Sequence, residues 1–564
     1  MDGQTGATMT GAEFLARSIA ASGQTHVFFV DAVLRRTLLA LNDLGVNTVL
    51  AHTEKAAAYM ADGYARVCRR PGIVAAQSVG AANLAAGLQD AYLARTPILA
   101  MTGRKVPAHQ HRNAYQEVAH GPLFAPVTAF GADVAEAADL PRVLRQAWAA
   151  SVAVPPRPVH LDLFGLQAEV IETGTVAAAK PLDLSALRAP AYRAGPDPAA
   201  VRAAAAALRA TPRVAIVAGD GAALSGCGAE LLALAEALAA PLATSLGARG
   251  LVPTRHPLCI GVVGSYSAPP ANRILDGADL VLFVGADTGD MLTNYWRVPR
   301  PGTRAIQIDA DPLEFERSYA TEHALIGDPR AVLRALAEEI GRPAARDRAY
   351  LEDAQAQIAA WRETIAPRLA SDAAPIDPAR LCAEITAALP EDGILVADTG
   401  YSGIWTGTLV ELNGAGQTYL RAAGSLGWSF PAALGAKCAA PGRKVVCWSG
   451  DGAFYYHLAE LETARRRGIA VTVVVNNNSG FGQGWPNLRR LAGNRPGAAE
   501  TLLRFGPTDF TAVARSFGLR GIRVERPGEI APALREAIAS DETVVVDVAT
   551  DIEARAPEAW APPA

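Results

Sequence analysis

Short runs rich in Val, Ile and Phe, among them THVFFV, NTVLA, GIVAAQ, PILAMTG and PVHLDL, alternate with Ala- and Leu-rich stretches of helical character along almost the whole chain. That alternation predicts an α/β fold of parallel sheets covered by helices. The strand candidates fall into three groups. After the first comes the Pro/Ala-rich stretch GTVAAAKPLDLSALRAPAYRAGPDPAA, which reads as a linker. The second group, RVAIVAG, LVLFVGA and RAIQIDA, is followed by a helical, charged segment through EDAQAQIAAWRETIAPRLAS. The third contains GILVADTG, KVVCWSGDG, VTVVVNNN and TVVVDVAT. With 564 residues, too many for one hydrophobic core, the expected units are three doubly wound parallel-sheet domains at 1–185, 186–365 and 366–564.

Charged residues make up 19% of the chain and the formal net charge is −4, which gives no basic surface for a polyanion, so nucleic acid is not an expected partner. The cysteines at 68, 227, 259, 382, 438 and 447 are far apart and include no Cys-x-x-Cys, which suits a reducing cytoplasm. The N-terminal stretch has no signal-like apolar core, and no apolar run approaches the roughly 20 residues of a membrane span, so neither export nor membrane association is expected.

One stretch carries chemistry. In GDGAFYYHLAELETARRRGIAVTVVVNNN, Gly450 to Asn478, a strand ends at Gly-Asp-Gly, AFYYHLAELETARRRG reads as a helix stopped by Gly468, and IAVTVVV is the next strand. In a right-handed βαβ crossover both strands end on the same sheet edge, so Asp451 and Asn478 can face each other although 27 positions apart. One carboxylate, one amide oxygen and one carbonyl from a Gly-rich turn are the minority of oxygen ligands that Mg²⁺ takes from a protein when phosphate and water supply the rest. A helix beginning near Ala453 would add N–H groups and a positive dipole end for a diphosphate. Turn residues alone would be the plainer reading. A second Gly-Asp-Gly at 219–221 also follows a strand, but Leu246-Gly247 stands at the matching distance, and that copy reads as a turn.

Gly450-Asp451-Gly452, 24 intervening residues and Asn477-Asn478 resemble the diphosphate motif of thiamine-diphosphate enzymes. The resemblance implies that Asp451, the Asn478 side chain and the Gly480 carbonyl, followed by Phe481, hold Mg²⁺ and thiamine diphosphate; the Asn-rich run also admits a register ending at Asn477 and Ser479. AHTEKAAAYMADGYAR is similar to the family's glutamate segment, which makes Glu54 the carboxyl bonded to the aminopyrimidine ring nitrogen, where it favours the tautomer that deprotonates the thiazolium. AAGSLGWSFPAALGAK resembles the segment that bends the cofactor, with Leu426 as the apolar wedge and the Gly424 carbonyl accepting from the 4′-amino group. ADTGYSGIWTG resembles a loop at the diphosphate, placing Tyr401 and Ser402 there. The order would be pyrimidine-binding, central and diphosphate-binding domain, in the acetohydroxyacid (acetolactate) synthase-like branch. Its members form their sites between chains, which implies a homodimer or homotetramer.

Within that branch NAYQE resembles AFQE, placing Gln116 at the reactive face, and SVGAAN stands where the family has SGPGATN, without its proline. His109 and His111 are additional candidates for protonating an intermediate or binding a polar acceptor, against the plainer reading of a solvated loop. GADTGDMLTNYW replaces the family's GARFDDR and removes both arginines, so FAD is a doubtful cofactor. Gln483 and Pro486 replace the pattern GMVTQWQ, and Pro486 is expected to interrupt a helix and alter the substrate pocket. The leading expectation is decarboxylation and carboligation of a 2-oxoacid. The alternatives are a decarboxylase or C–C lyase releasing an aldehyde, and a non-catalytic thiamine-fold binding protein. A nucleotide dehydrogenase is disfavoured, because AGDGAALSG only half matches Gly-x-Gly-x-x-Gly.

Overall fold

The computed structural model describes residues 8–177, 180–341, 347–493 and 495–563. The inter-domain stretch read as a linker has no helix or strand from 180 to 197, and its residues 178–179 lie outside the described ones.

Three six-stranded, wholly parallel sheets follow one another along the chain. The first has the order Asn47–Leu50, His26–Phe29, Gly72–Ala76, Ile98–Arg104, Pro158–Phe164, Phe130–Val134. The third repeats that order with Thr418–Arg421, Ile394–Ala397, Val445–Gly450, Thr472–Asn477, Val544–Ala549 and Arg520–Val524. The central sheet runs Cys259–Val262, Leu242–Thr244, Val214–Ala218, Leu280–Val284, Arg304–Asp309, Thr321–Ile326, the arrangement of a dinucleotide-type fold with its switch point between the third and fourth strands of that order. Inner strands such as Leu280–Val284 are buried along their whole length because helices cover both faces.

The first and third domains meet through helices Glu54–Cys68 and Ser429–Ala439. Small residues bring the backbones together: a Cβ on Gly63 would lie 2.0 Å from the Ala432 carbonyl oxygen, and one on Gly435 would lie 1.8 Å from that of Met60. Around this contact the Trp428 indole N–H donates to Asp62 and the Arg66 guanidinium donates to Asp62, Asp90 and the Arg421 carbonyl. Among the described residues no helix is long and apolar enough to cross a membrane.

Two expectations are corrected. The stretch after Gly450 is not one helix: it is Asp451–Phe454, a 3₁₀ turn Tyr455–His457, and Glu460–Arg467, closed by Gly468 at φ 61°. Consecutive aromatic residues form helix poorly, and Tyr455 packs on Phe505 and Phe510, so tertiary contacts shape the turn. Pro486 interrupts nothing, since it lies in the first turn of Trp485–Leu491, where its missing N–H has no partner to lose.

Candidate active site

The Asp451 carboxylate stands at the end of strand Val445–Gly450, beside the end of strand Thr472–Asn477, with Gly450 paired to Asn476. It accepts from the amides of Gly452 at 2.7 Å and Gly480 at 3.0 Å. Burial lifts this carboxyl to about 6, against the opposing pull of those N–H groups. The two asparagines differ. Asn477 is committed inward: its Nδ2 donates to Asp547 at 2.9 Å and to the Thr508 carbonyl, and its Oδ1 accepts from the Ser479 amide. Asn478 Oδ1 is buried without a hydrogen-bond partner. The turn 478–481 is tied to the segment 503–505, since Arg504 donates to the Asn478 carbonyl, Phe505 N–H to Ser479 and Phe481 N–H to Leu503.

Tyr401 and Ser402 begin the helix Tyr401–Leu409 on the same edge. The Ser402 hydroxyl would lie 3.7 Å from a Cβ on Gly450, and Tyr401 borders Gly482. Ala453 is buried in the short helix, whereas Gly424 is exposed with open space where a Cβ would stand, and Leu426 is half-buried. Two carboxylates fix this loop: Asp398, within ADTGYSGIWTG, and Asp90, which no sequence motif marks. Asp90 accepts from the amides of Ala423, Gly424 and Ser425, and Asp398 accepts from those of Gly427 and Ser429. In sequence Asp90 is indistinguishable from a solvated helix residue, and only its burial in helix Gly80–Leu93 reveals it.

In the first domain Thr53 caps the helix that Glu54 opens. Asn83 Nδ2 donates to Glu54 Oε2 at 2.8 Å, and Gly80 packs so closely that a Cβ would lie 2.4 Å from Glu54 Oε1. Gln116 takes φ 58°, its Oε1 is buried without a partner, and its carbonyl accepts from the Ser78 hydroxyl at 2.5 Å. The segment SVGAAN therefore joins Glu54 and Gln116 in one cluster. His109 and His111 are exposed, and the bonded group of His111 is its backbone amide, which donates to Glu117. Gln483 Nε2 donates to Tyr266 of the central domain at 3.3 Å.

The Gly-Asp-Gly at 219–221 opens the short helix Asp220–Ser225. Asp220 accepts from the Ser245 hydroxyl and abuts Gly247, which offers no ligand atom at the place corresponding to Asn478. It lines a cavity of ≈ 390 Å³ at the central switch point together with Asp287 and Asp309. The guanidinium groups there are committed: Arg69 donates to the Ala223 and Leu224 carbonyls, and Arg95 to Asp287 and Glu314.

Comparison with known proteins matches three family regions in the order of the three sheets. Residues 9–123 match the thiamine pyrophosphate enzyme N-terminal TPP binding domain, 201–336 the central domain, and 398–548 the C-terminal TPP binding domain. The chain is 30% identical over 558 residues to a "Probable acetolactate synthase large subunit" of Methanocaldococcus jannaschii, covering 96% of this chain and 92% of that protein. It is 34% identical over 492 residues to a "Probable 2-ketoarginine decarboxylase AruI" of Pseudomonas aeruginosa, covering 84% and 83%. With "Acetolactate synthase isozyme 3 large subunit" of Escherichia coli it shares 26% over 554 residues, covering 96% and 95%. With all three family regions matched in order, the chain belongs to the thiamine pyrophosphate enzymes, in the acetolactate synthase-like branch, and is an enzyme that forms or cleaves C–C bonds.

Proposed function

We propose that this enzyme uses thiamine diphosphate and Mg²⁺ to decarboxylate a 2-oxoacid and join the remaining acyl unit to a second carbonyl. The observation that carries the metal assignment is Asn478 Oδ1, a buried acceptor without a partner, in the turn whose Gly480 amide donates to the Asp451 carboxylate. With the Gly480 carbonyl, Asp451 and Asn478 would make a hard oxygen set suited to Mg²⁺, and Asn477 is the poorer candidate because its Oδ1 accepts from the Ser479 amide while its Nδ2 is held by Asp547. Gly450, Gly452, Ala453, Phe481, Tyr401 and Ser402 would line the diphosphate, and Gly424 and Leu426 the bend of the cofactor. Bound thiamine diphosphate supplies a nucleophilic carbon and an electron sink. Glu54, oriented by Asn83, holds a proton at the aminopyrimidine ring, and Gln116 presents its unpartnered amide oxygen to the acceptor side. His109 and His111 remain candidates only through movement of their exposed loop.

The domains divide near 185 and 365, and the working unit is a homodimer or larger, with Glu54 of one chain facing Asp451 of another. FAD is not part of this proposal, because the central crevice presents carboxylates and its lining arginines are already bonded.

A second reading, release of an aldehyde after decarboxylation, is favoured by the 34% identity to a protein named as a 2-ketoarginine decarboxylase. Product analysis separates the two. Incubation with pyruvate, and separately with a guanidino 2-oxoacid, is expected to give a chiral hydroxyketo acid if a second carbonyl captures the acyl unit, whereas aldehyde and CO₂ in equal amounts would support the second reading.

A further inference from the structure

Behind the Glu54–Gln116 cluster lies a chain of buried polar groups that the proposed chemistry does not use. His120 is fully buried, and its Nε2 lies 2.9 Å from the Ser78 carbonyl while its Nδ1 lies 2.8 Å from Asp162 Oδ1. A carbonyl cannot donate a proton, so Nε2 donates to Ser78, while Nδ1 faces the Asp162 carboxyl on the other side of the ring. The Thr102 hydroxyl donates to Asp162 at 2.9 Å and is 2.7 Å from His160 Nε2. His160 stacks on Phe124 with ring centroids 3.7 Å apart, and burial depresses its pKa to about 3, which keeps it the neutral donor to Thr102. Arg104 stands 3.5 Å from Asp162 Oδ2. His120, His160 and Asp162 lie near one another, but the Thr102 hydroxyl stands among them, 3.3 Å from His120 Nδ1, and hydrogen bonds already engage the facing atoms His160 Nε2 and Asp162 Oδ1, while Asp162 Oδ2 has no hydrogen-bond partner.

What the chain of bonds holds is the turn at Ser78. Its carbonyl receives His120, its hydroxyl donates to the Gln116 carbonyl, and two residues later Gly80 packs on the Glu54 carboxyl. The sequence here lacks the proline expected in that turn, and Ser78 has no other covalent restraint of that kind. We propose that Asp162 and His120 are positioning residues which, through the Ser78 turn, set Glu54 and Gln116 together as one unit. The inference rests on the reading of Glu54 and Gln116 given above.

Hydrogen–deuterium exchange on the full chain tests the relay without any turnover. His120→Leu and Asp162→Asn are expected to speed amide exchange about tenfold in segments 78–84 and 110–118, and Ser78→Ala in 110–118 only. Segment 280–308 of the central domain should stay unchanged and report that the fold is intact. If His120→Leu does not fold, Ser78→Ala decides. Unchanged exchange in 110–118 of folded Ser78→Ala overturns the proposal. In the holoenzyme Ser78→Ala should alter the KM for the acceptor and the product ratio while leaving proton exchange at the thiazolium carbon, the work of Glu54, at the wild-type rate. An unchanged KM and product ratio in Ser78→Ala would also contradict the proposal. Absence of turnover in wild type on every 2-oxoacid would instead remove the functional reading, and the amide exchange rates alone would then decide whether the relay exists.

Discussion

At the scale of single residues, Gly80 is a sharp constraint. A methyl group there would meet Glu54 Oε1 at 2.4 Å, although alanine suits a helix start. Gly80→Ala should therefore reduce kcat by about 10²-fold through displacement of one carboxyl, with little change in thermal midpoint. Asp309 gives a pH prediction. Burial lifts its carboxyl to about 6 and leaves Oδ2 without a partner. The folded chain thus binds this proton more tightly than the unfolded chain, whose aspartates titrate near about 3.9, so the contribution is full below that pH and is lost as pH rises through 6. Thermal melts of the cofactor-free protein from pH 4 to 7 should show a falling contribution that Asp309→Asn flattens.

At the scale of elements, the contact between helices Glu54–Cys68 and Ser429–Ala439 is set by absent side chains. Gly435→Val would drive a side chain into the Met60 carbonyl and should cost about 1–3 kcal/mol or more in denaturant unfolding. The elements also show what a sequence can disclose. Strand-end pairs such as Asp451 and Asn478 are legible because one βαβ unit fixes their spacing and both residues lie at its ends. The splitting of the following helix is not legible, because the aromatic contacts of Tyr455 come from residues 50 and more positions away. Pro486 misleads for a related reason: whether a proline breaks or begins a helix depends on where the preceding Gly482–Gly484 turn is anchored. The sequence favours Asn478 over Asn477 by an ungapped match, but the bond that holds Asn477 inward comes from Asp547, a buried carboxylate of a neighbouring strand that no local pattern marks. His120 and Asp90 give no sequence signal because their partners lie 42 and more than 300 positions away.

At the scale of the whole molecule, two domains of identical strand order bring the Glu54 and Asp451 halves of the proposed site, with a dinucleotide-type domain between them in sequence. If each site takes Glu54 from one chain and Asp451 from another, two inactive variants should complement. An equal mixture of Glu54→Gln and Asp451→Ala, after subunit exchange, should recover about one quarter of wild-type activity, because half of the dimers pair the two variants and each of those carries one intact site. Recovery of none would place both groups in a single chain's site. The central claim, a thiamine-diphosphate and Mg²⁺ enzyme acting on 2-oxoacids through Glu54, is tested most directly by CO₂ release from a panel of 2-oxoacids as the two cofactors are titrated. Saturable release that needs both, and that falls by at least about 10²-fold in Glu54→Gln while cofactor binding persists, is the result predicted. Release that survives in Glu54→Gln, or that is indifferent to Mg²⁺ and thiamine diphosphate, would contradict it.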